Sequence, residues 1–209
     1  NLSDSLQNIV RSSAAANTLT IDEDIIIQGA GRLVNNIGGM INNGTIVANQ
    51  TKQIIIDANN LGFENRGQLT ASGTQGLQSV GGYRQTAGAT TINSILEITS
   101  GGELGLEGGL LNGDGLIIGD VNNTGGTVNA GNSPGTLTID GDYSQSAAGN
   151  LLIEIAGSAA GDFDILDISG VANLGGTIEV SLLGNPAISI NDSFDVLIAS
   201  EILGAFDNG

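Results

Sequence analysis

A short phrase recurs along this chain: a Gly, then a small or polar residue, then an aliphatic one that opens a run of alternating character. It reads Gly44-Thr45-Ile46, Gly67-Gln68-Leu69, Gly102-Glu103-Leu104, Gly126-Thr127-Val128, Gly135-Thr136-Leu137, Gly149-Asn150-Leu151 and Gly176-Thr177-Ile178. Glycine accepts the positive φ of tight turns, and a period-2 run suits a strand with one buried face. The phrase therefore predicts many short strands delivered by turns, a repetitive all-β object.

Spacing narrows the architecture. Gly44 and Gly67 are 23 residues apart and Gly102 and Gly126 are 24 apart, within the range of solenoid repeats. Other gaps are shorter or longer. A right-handed parallel β-helix tolerates this, because only the stacked strands must keep register. With ~20 to 25 residues per rung and ~4.8 Å between stacked strands, the 209 residues predict roughly eight rungs and a rod about 40 Å long. Strands are expected over 18–21, 25–28, 45–48, 53–57, 68–71, 90–92, 96–99, 116–118 and 127–129. Asn and Gly clusters between them (Asn35-Asn36, Asn42-Asn43-Gly44, Asn59-Asn60, Asn112-Gly113, Asn122-Asn123) read as corners, where Asn tolerates left-handed backbone and can bond to its copy one rung away.

Three segments follow. Residues 1–17 read as a capping segment or short helix, with Leu2, Leu6, Ile9 and Val10 on one helical face, Ser3 as cap and Ala14 to Ala16 as helix formers. Residues 18–134 read as β-helix rungs. Residues 135–209 carry longer alternating strands, with Leu137 and Ile139, then Leu151, Ile153 and Ile155, then Ile178, Val180 and Leu182, then Phe194, Val196 and Ile198 facing inward. This region is expected to form wide final rungs or a sandwich-like cap, since an uncovered last rung exposes unpaired strand edges.

Composition restricts partners. The net charge is −17, and all five bases (Arg11, Arg32, Lys52, Arg66 and Arg84) lie in the first 84 residues. Such a surface repels phosphate backbones and anionic lipid, so nucleic acid is excluded as a partner class. No apolar run approaches the length of a membrane span and no basic region precedes an apolar one, so neither membrane insertion by this segment nor a retained signal peptide is expected. There is no Cys, which removes disulfides and thiolate metal sites. A chain beginning at Asn1 reads as an excised or processed piece of something longer.

Longer stretches carry a resemblance. Gly131-Asn132-Ser133-Pro134-Gly135-Thr136-Leu137-Thr138-Ile139 with Gly141-Asp142-Tyr143-Ser144-Gln145 resembles the strand repeat of bacterial autotransporter passenger regions and related surface proteins. So do Asp164-Ile165-Leu166-Asp167-Ile168, Leu174-Gly175-Gly176-Thr177-Ile178-Glu179-Val180 and Asp192-Ser193-Phe194-Asp195-Val196-Leu197, and upstream the stretches 42–49 and 65–72. The resemblance covers about residues 35 to 200. It implies an extracellular or cell-surface β-helix, associated with a bacterial outer membrane, that acts as a structural or adhesive module toward a host or neighbouring-cell surface protein or glycan. Its matched positions are turns and core strands, so it assigns no catalytic, cofactor or metal residue.

Residues that could carry chemistry are few. A glycan-active depolymerase or hydrolase, the alternative function, needs a carboxylate pair on one face. Asp162, Asp164 and Asp167 are close in sequence, but alternation puts Asp164 and Asp167 on opposite faces, and the group reads as a solvated loop. Arg66 with Glu64 or Asp57 reads as a surface ion pair. Gly108-Gly109-Leu110-Leu111-Asn112-Gly113-Asp114-Gly115-Leu116 echoes a calcium-binding nonapeptide, but as one degenerate copy. Asp22-Glu23-Asp24 and Asp140-Gly141-Asp142 read as exposed corners. With no Trp, Tyr83 and Tyr143 are the only attractive sugar platforms, and Tyr143 reads as a packing residue. The expectation is a non-enzymatic module with no cofactor.

Overall fold

A computed structural model describes residues 1–12, 17–35, 38–58 and 61–208. The expected corner residues Asn36, Asn59 and Asn60, and Ala14 to Ala16, lie outside them. The described chain is a right-handed parallel β-helix. Each turn contributes one strand to each of three parallel sheets, and the strand order in every sheet is the order along the chain.

The first sheet stacks Ile9–Arg11, Gly31–Val34, Ile54–Asp57, Leu77–Val80, Ile95–Thr99, Leu116–Ile118, Thr136–Asp140, Ile165–Ile168 and Leu197–Ile198. The second stacks Leu19–Ile21, Met40–Asn42, Phe63–Asn65, Tyr83–Gln85, Leu104–Leu106, Val121–Asn123, Tyr143–Gln145, Val171–Leu174 and Glu201–Gly204. The third stacks Ile26–Gly29, Thr45–Ala48, Gln68–Ala71, Ala89–Ile92, Leu110–Gly113, Thr127–Ala130, Asn150–Ile155 and Thr177–Leu182. Nine stacked strands at ~4.8 Å per step give a rod of about 40 Å.

Gly44 and Gly67 are equivalent corners one rung apart, but Gly102 precedes a second-sheet strand and Gly126 a third-sheet one, so their 24-residue spacing is not a rung. Arg32 pairs with Ile55 and Ile55 with Gln78, a step of 23 residues, whereas Gly105 pairs with Asn122, a step of 17. Ser144 to Asn173 and Asn173 to Leu203 are steps of 29 and 30. The added length lies in the corners between third and first sheets, over 156–164 and 183–196.

The core is a set of columns running along the rod. Leu33 over Ile56 in the first sheet, Met40, Phe63 and Tyr83 in the second, and Ile46 over Leu69 in the third are all buried. Phe63 and Tyr83 pack with ring centroids 5.1 Å apart. One column is polar. Asn42, Asn65, Gln85, Asn123 and Gln145 occupy the last position of successive second-sheet strands and are buried, with Leu106 interrupting them. Asn42 Nδ2 donates to Asn65 Oδ1 at 2.8 Å, and Gln145 Nε2 donates to the carbonyls of Gly175 and Thr177 at 2.8 and 2.9 Å. Gln145 thereby satisfies carbonyls where the corner enters the next third-sheet strand, while Asn42 and Asn65 bond to each other from rung to rung. Asn42 and Asn123, read from sequence as corners, are therefore inward strand ends.

The start of the chain differs from the helical expectation. Ile9–Arg11 is a strand paired in parallel with Gly31–Val34, and no helix forms among the described residues. The reason is local: Val10 gains more by stacking on the buried Leu33 column than a short isolated helix supplies. Ahead of it, the amide of Leu2 donates to Gln28 O at 2.6 Å, so the first residues lie along the open edge of the third sheet.

Residues 135–208 add wide rungs to the same three sheets. Asn150–Ile155 and Thr177–Leu182 are six residues each, and Leu137, Ile139, Leu151, Ile153 and Ile155 are buried as expected. The last rung is different. Val180 and Leu182 stack on Ile153 and Ile155, yet they are 54% and 57% exposed because no further third-sheet strand covers them among the described residues. Ile198 pairs with Asp167 and points outward rather than inward.

Candidate functional site

The described residues form a groove of about 790 Å³ along the corner where the first sheet passes into the second. Its position follows from strand length. Second-sheet strands are mostly three residues long, so one outward side chain per rung lines this face: Ile41, Glu64, Arg84 and Gly105 in neighbouring strands. Asp57 and Val80 bound it from the first sheet, and Leu61, Gly82 and Glu103 from the corners.

The charges here are wired together. Arg66 Nε donates to Glu64 Oε1 at 2.7 Å, and Arg84 lies between Glu64 (3.3 Å) and Glu107 (2.6 Å). Thr86 Oγ1 also donates to Glu64 Oε1, at 2.8 Å. The Arg66 hydrogen bond holds Glu64 below the usual carboxylate range, with Thr86 and the Arg84 charge acting in the same direction against a partial loss of hydration. Glu103 accepts only a long bond, 3.4 Å, from Asn122 Nδ2. Asp57 faces Arg32 at 3.4 Å, so Glu64 rather than Asp57 is the partner of Arg66.

A glycosidase acid must carry a proton when it meets substrate. Glu64 is held in the opposite state. The described carboxyl that is pushed upward is Asp164, where burial outweighs two amide hydrogen bonds and the Glu154 charge adds to the effect. Asp164 is not the solvated loop residue expected from sequence. It is fully buried, its Oδ1 accepting from the Gly135 amide and its Oδ2 from the Glu154 amide, both at 2.8 Å. It ties the corner at 131–135 to the neighbouring wide strand and presents no face to a substrate. Asp162 is exposed, and Asp167 points out of the first sheet as a half-buried residue, so these three acids do not converge.

The remaining sequence candidates are structural. Leu110–Gly113, in the stretch that echoes a calcium loop, is a third-sheet strand. No three acids gather as a metal ligand set among the described residues. Asp120 Oδ1 accepts from the Asp142 amide and Asp142 Oδ1 from the Val171 amide, both at 2.8 Å, so Asp142 clips one corner to the next. Asp22, Glu23 and Asp24 are exposed. Tyr143 is fully buried, its hydroxyl donating to Gln145 Oε1 at 2.6 Å, and Tyr83 is buried with its hydroxyl against Thr90. Burial pushes both phenols upward, and neither offers a ring to a sugar.

The chain matches no protein-family model, no curated protein and no solved structure.

Proposed function

We propose that this chain is a non-enzymatic β-helical module of an exported bacterial surface protein, of the autotransporter-passenger kind, that extends or presents an adhesive surface outside the cell. The observation that supports it is where the resembling residues stand. Thr45–Ala48, Gln68–Ala71, Thr136–Asp140, Ile165–Ile168 and Thr177–Leu182 are each one strand of one rung, so these stretches are spent on core columns and corners. What is left for function is the outward surface, and its groove holds carboxylates paired with arginine.

Two measurements test this reading. Antibody raised against the chain should label intact cells of the producing organism, with labelling lost after protease shaving; labelling seen only after lysis contradicts the proposal. Incubation with bacterial and host polysaccharides should release no new chain ends. Release that Glu64→Gln or Glu107→Gln abolishes would establish the hydrolase alternative instead.

A further inference from the structure

The glycines of this chain are not equivalent. At most of the described ones an added Cβ would strike neighbouring backbone or side chain closer than 3 Å, or the residue has a positive φ. Gly39, Gly82 and Gly105 escape both conditions: nothing lies within 3.4 Å of the Cβ position, and none has a left-handed φ. Among the described glycines only these three do so, and all three line this groove. Gly105 is the sharpest case. It is the middle residue of Leu104–Leu106, pointing outward between Arg84 and Asn122, and the nearest atom to its Cβ position is Tyr83 O at 3.9 Å. A mid-strand glycine weakens a sheet, and where packing does not demand it, close approach of another backbone or a ligand is the physical reason to keep it.

We infer that the groove binds an extended polypeptide segment carrying basic side chains, laid along the rod with its backbone against Gly82 and Gly105. The inference rests on reading the groove as a binding rather than a reacting surface. Charge selects the ligand. Of the lining carboxylates Asp57, Glu64, Glu103 and Glu107, three are paired with Arg32, Arg66 and Arg84, and Glu103, in no ion pair among the described residues, leaves the groove with a net negative charge. The chain as a whole carries −17, which draws cations toward it. Shape selects it too. The groove crosses four second-sheet strands, from Met40–Asn42 to Leu104–Leu106, a length of roughly 14 Å that four or five extended residues span. Leu61, 71% exposed, and Ile41 give apolar contacts at one end. A sugar chain is disfavoured because the lining rings, Phe63 and Tyr83, are buried in the core and cannot stack.

The test is fluorescence anisotropy with a labelled octapeptide of alternating Lys and Leu, beside an alternating Glu and Leu octapeptide and a neutral glucose hexasaccharide. The Lys peptide should bind at least tenfold tighter than the Glu peptide. Gly105→Val and Gly82→Val should each weaken it at least tenfold, with a melting temperature unchanged or raised. Glu103→Gln should weaken it about threefold, with a shallower salt dependence. Equal binding of the two peptides, or Lys-peptide binding indifferent to Gly105→Val in a folded variant, overturns the proposal. So does hexasaccharide binding that Gly105→Val abolishes. The surface-labelling and polysaccharide-release measurements are independent of all these outcomes, so either reading can fail alone.

Discussion

Asp164 shows how a single side chain decides a local structure. Both of its oxygens are engaged by amides, of Gly135 and Glu154, in a buried site. Asp164→Ala leaves two donors without an acceptor and should cost roughly 2 kcal/mol or more, while Asp164→Asn, which keeps one acceptor oxygen, should cost less; urea unfolding measures both. The sign of its pH dependence is set by the upward shift: its contribution is full below the ordinary carboxyl value and is lost as pH rises through the higher folded value. Glu64 behaves oppositely. Its value is lowered by Arg66, so its contribution is present above the ordinary carboxyl value and is lost as pH falls through the folded one. Wild type should therefore exceed Glu64→Gln in stability at neutral pH, and the gap should shrink as pH falls below the ordinary carboxyl range; a gap that widens in acid contradicts the assignment. Neither behaviour was legible in the sequence. Alternation placed Asp164 and Asp167 on opposite faces, but the burial of Asp164 depends on the corner at 131–135 folding over it, a contact between residues 29 apart in sequence for Gly135 and Asp164.

At the scale of strands, the period-2 pattern located several first- and third-sheet strands to the residue. Thr45–Ala48, Gln68–Ala71 and Leu116–Ile118 fall on the expected boundaries. Most second-sheet strands escaped, because Met40–Asn42, Phe63–Asn65 and Val121–Asn123 are three residues long and end in an inward Asn that looks like a turn residue. Their identity as strands comes from stacking on copies one rung away, which local pattern does not contain. The helix expected over 1–17 failed for the same reason: an apolar spacing compatible with a helical face was captured by a neighbouring strand. Position along the stack should also set the cost of a core substitution. Ile153, closed in on both sides, should lose about 2 to 5 kcal/mol on Ile153→Ala. Val180 stacks directly on it but is 54% exposed in the last rung, so Val180→Ala should cost less than about 1 kcal/mol. Similar losses at the two sites, measured by denaturant midpoints at constant m, contradict the open last rung.

At the scale of the molecule, architecture was readable and the groove was not. The repeated phrase and its spacing lead to a parallel stack because every Gly, Asn and aliphatic position in it serves a corner or a column. The groove depends on which glycines are not needed by the fold, and all 34 look alike in sequence. It depends equally on Arg84 reaching both Glu64 and Glu107, one in the neighbouring rung below and the other in the rung above. The claim beneath all of this is that outward residues far apart in sequence lie in one straight column. Thr20, Ile41, Glu64, Arg84, Gly105, Asn122 and Ser144 form such a column in the second sheet. Because the chain has no Cys, Thr20→Cys and Ser144→Cys give two clean spin-label sites six rungs apart. Pulsed electron–electron dipolar spectroscopy should return a single narrow distance near 29 Å, set by ~4.8 Å per rung. A broad distribution, or a distance centred below about 20 Å as a folded-back sandwich of ~10 Å sheet spacing would give, contradicts the β-helix.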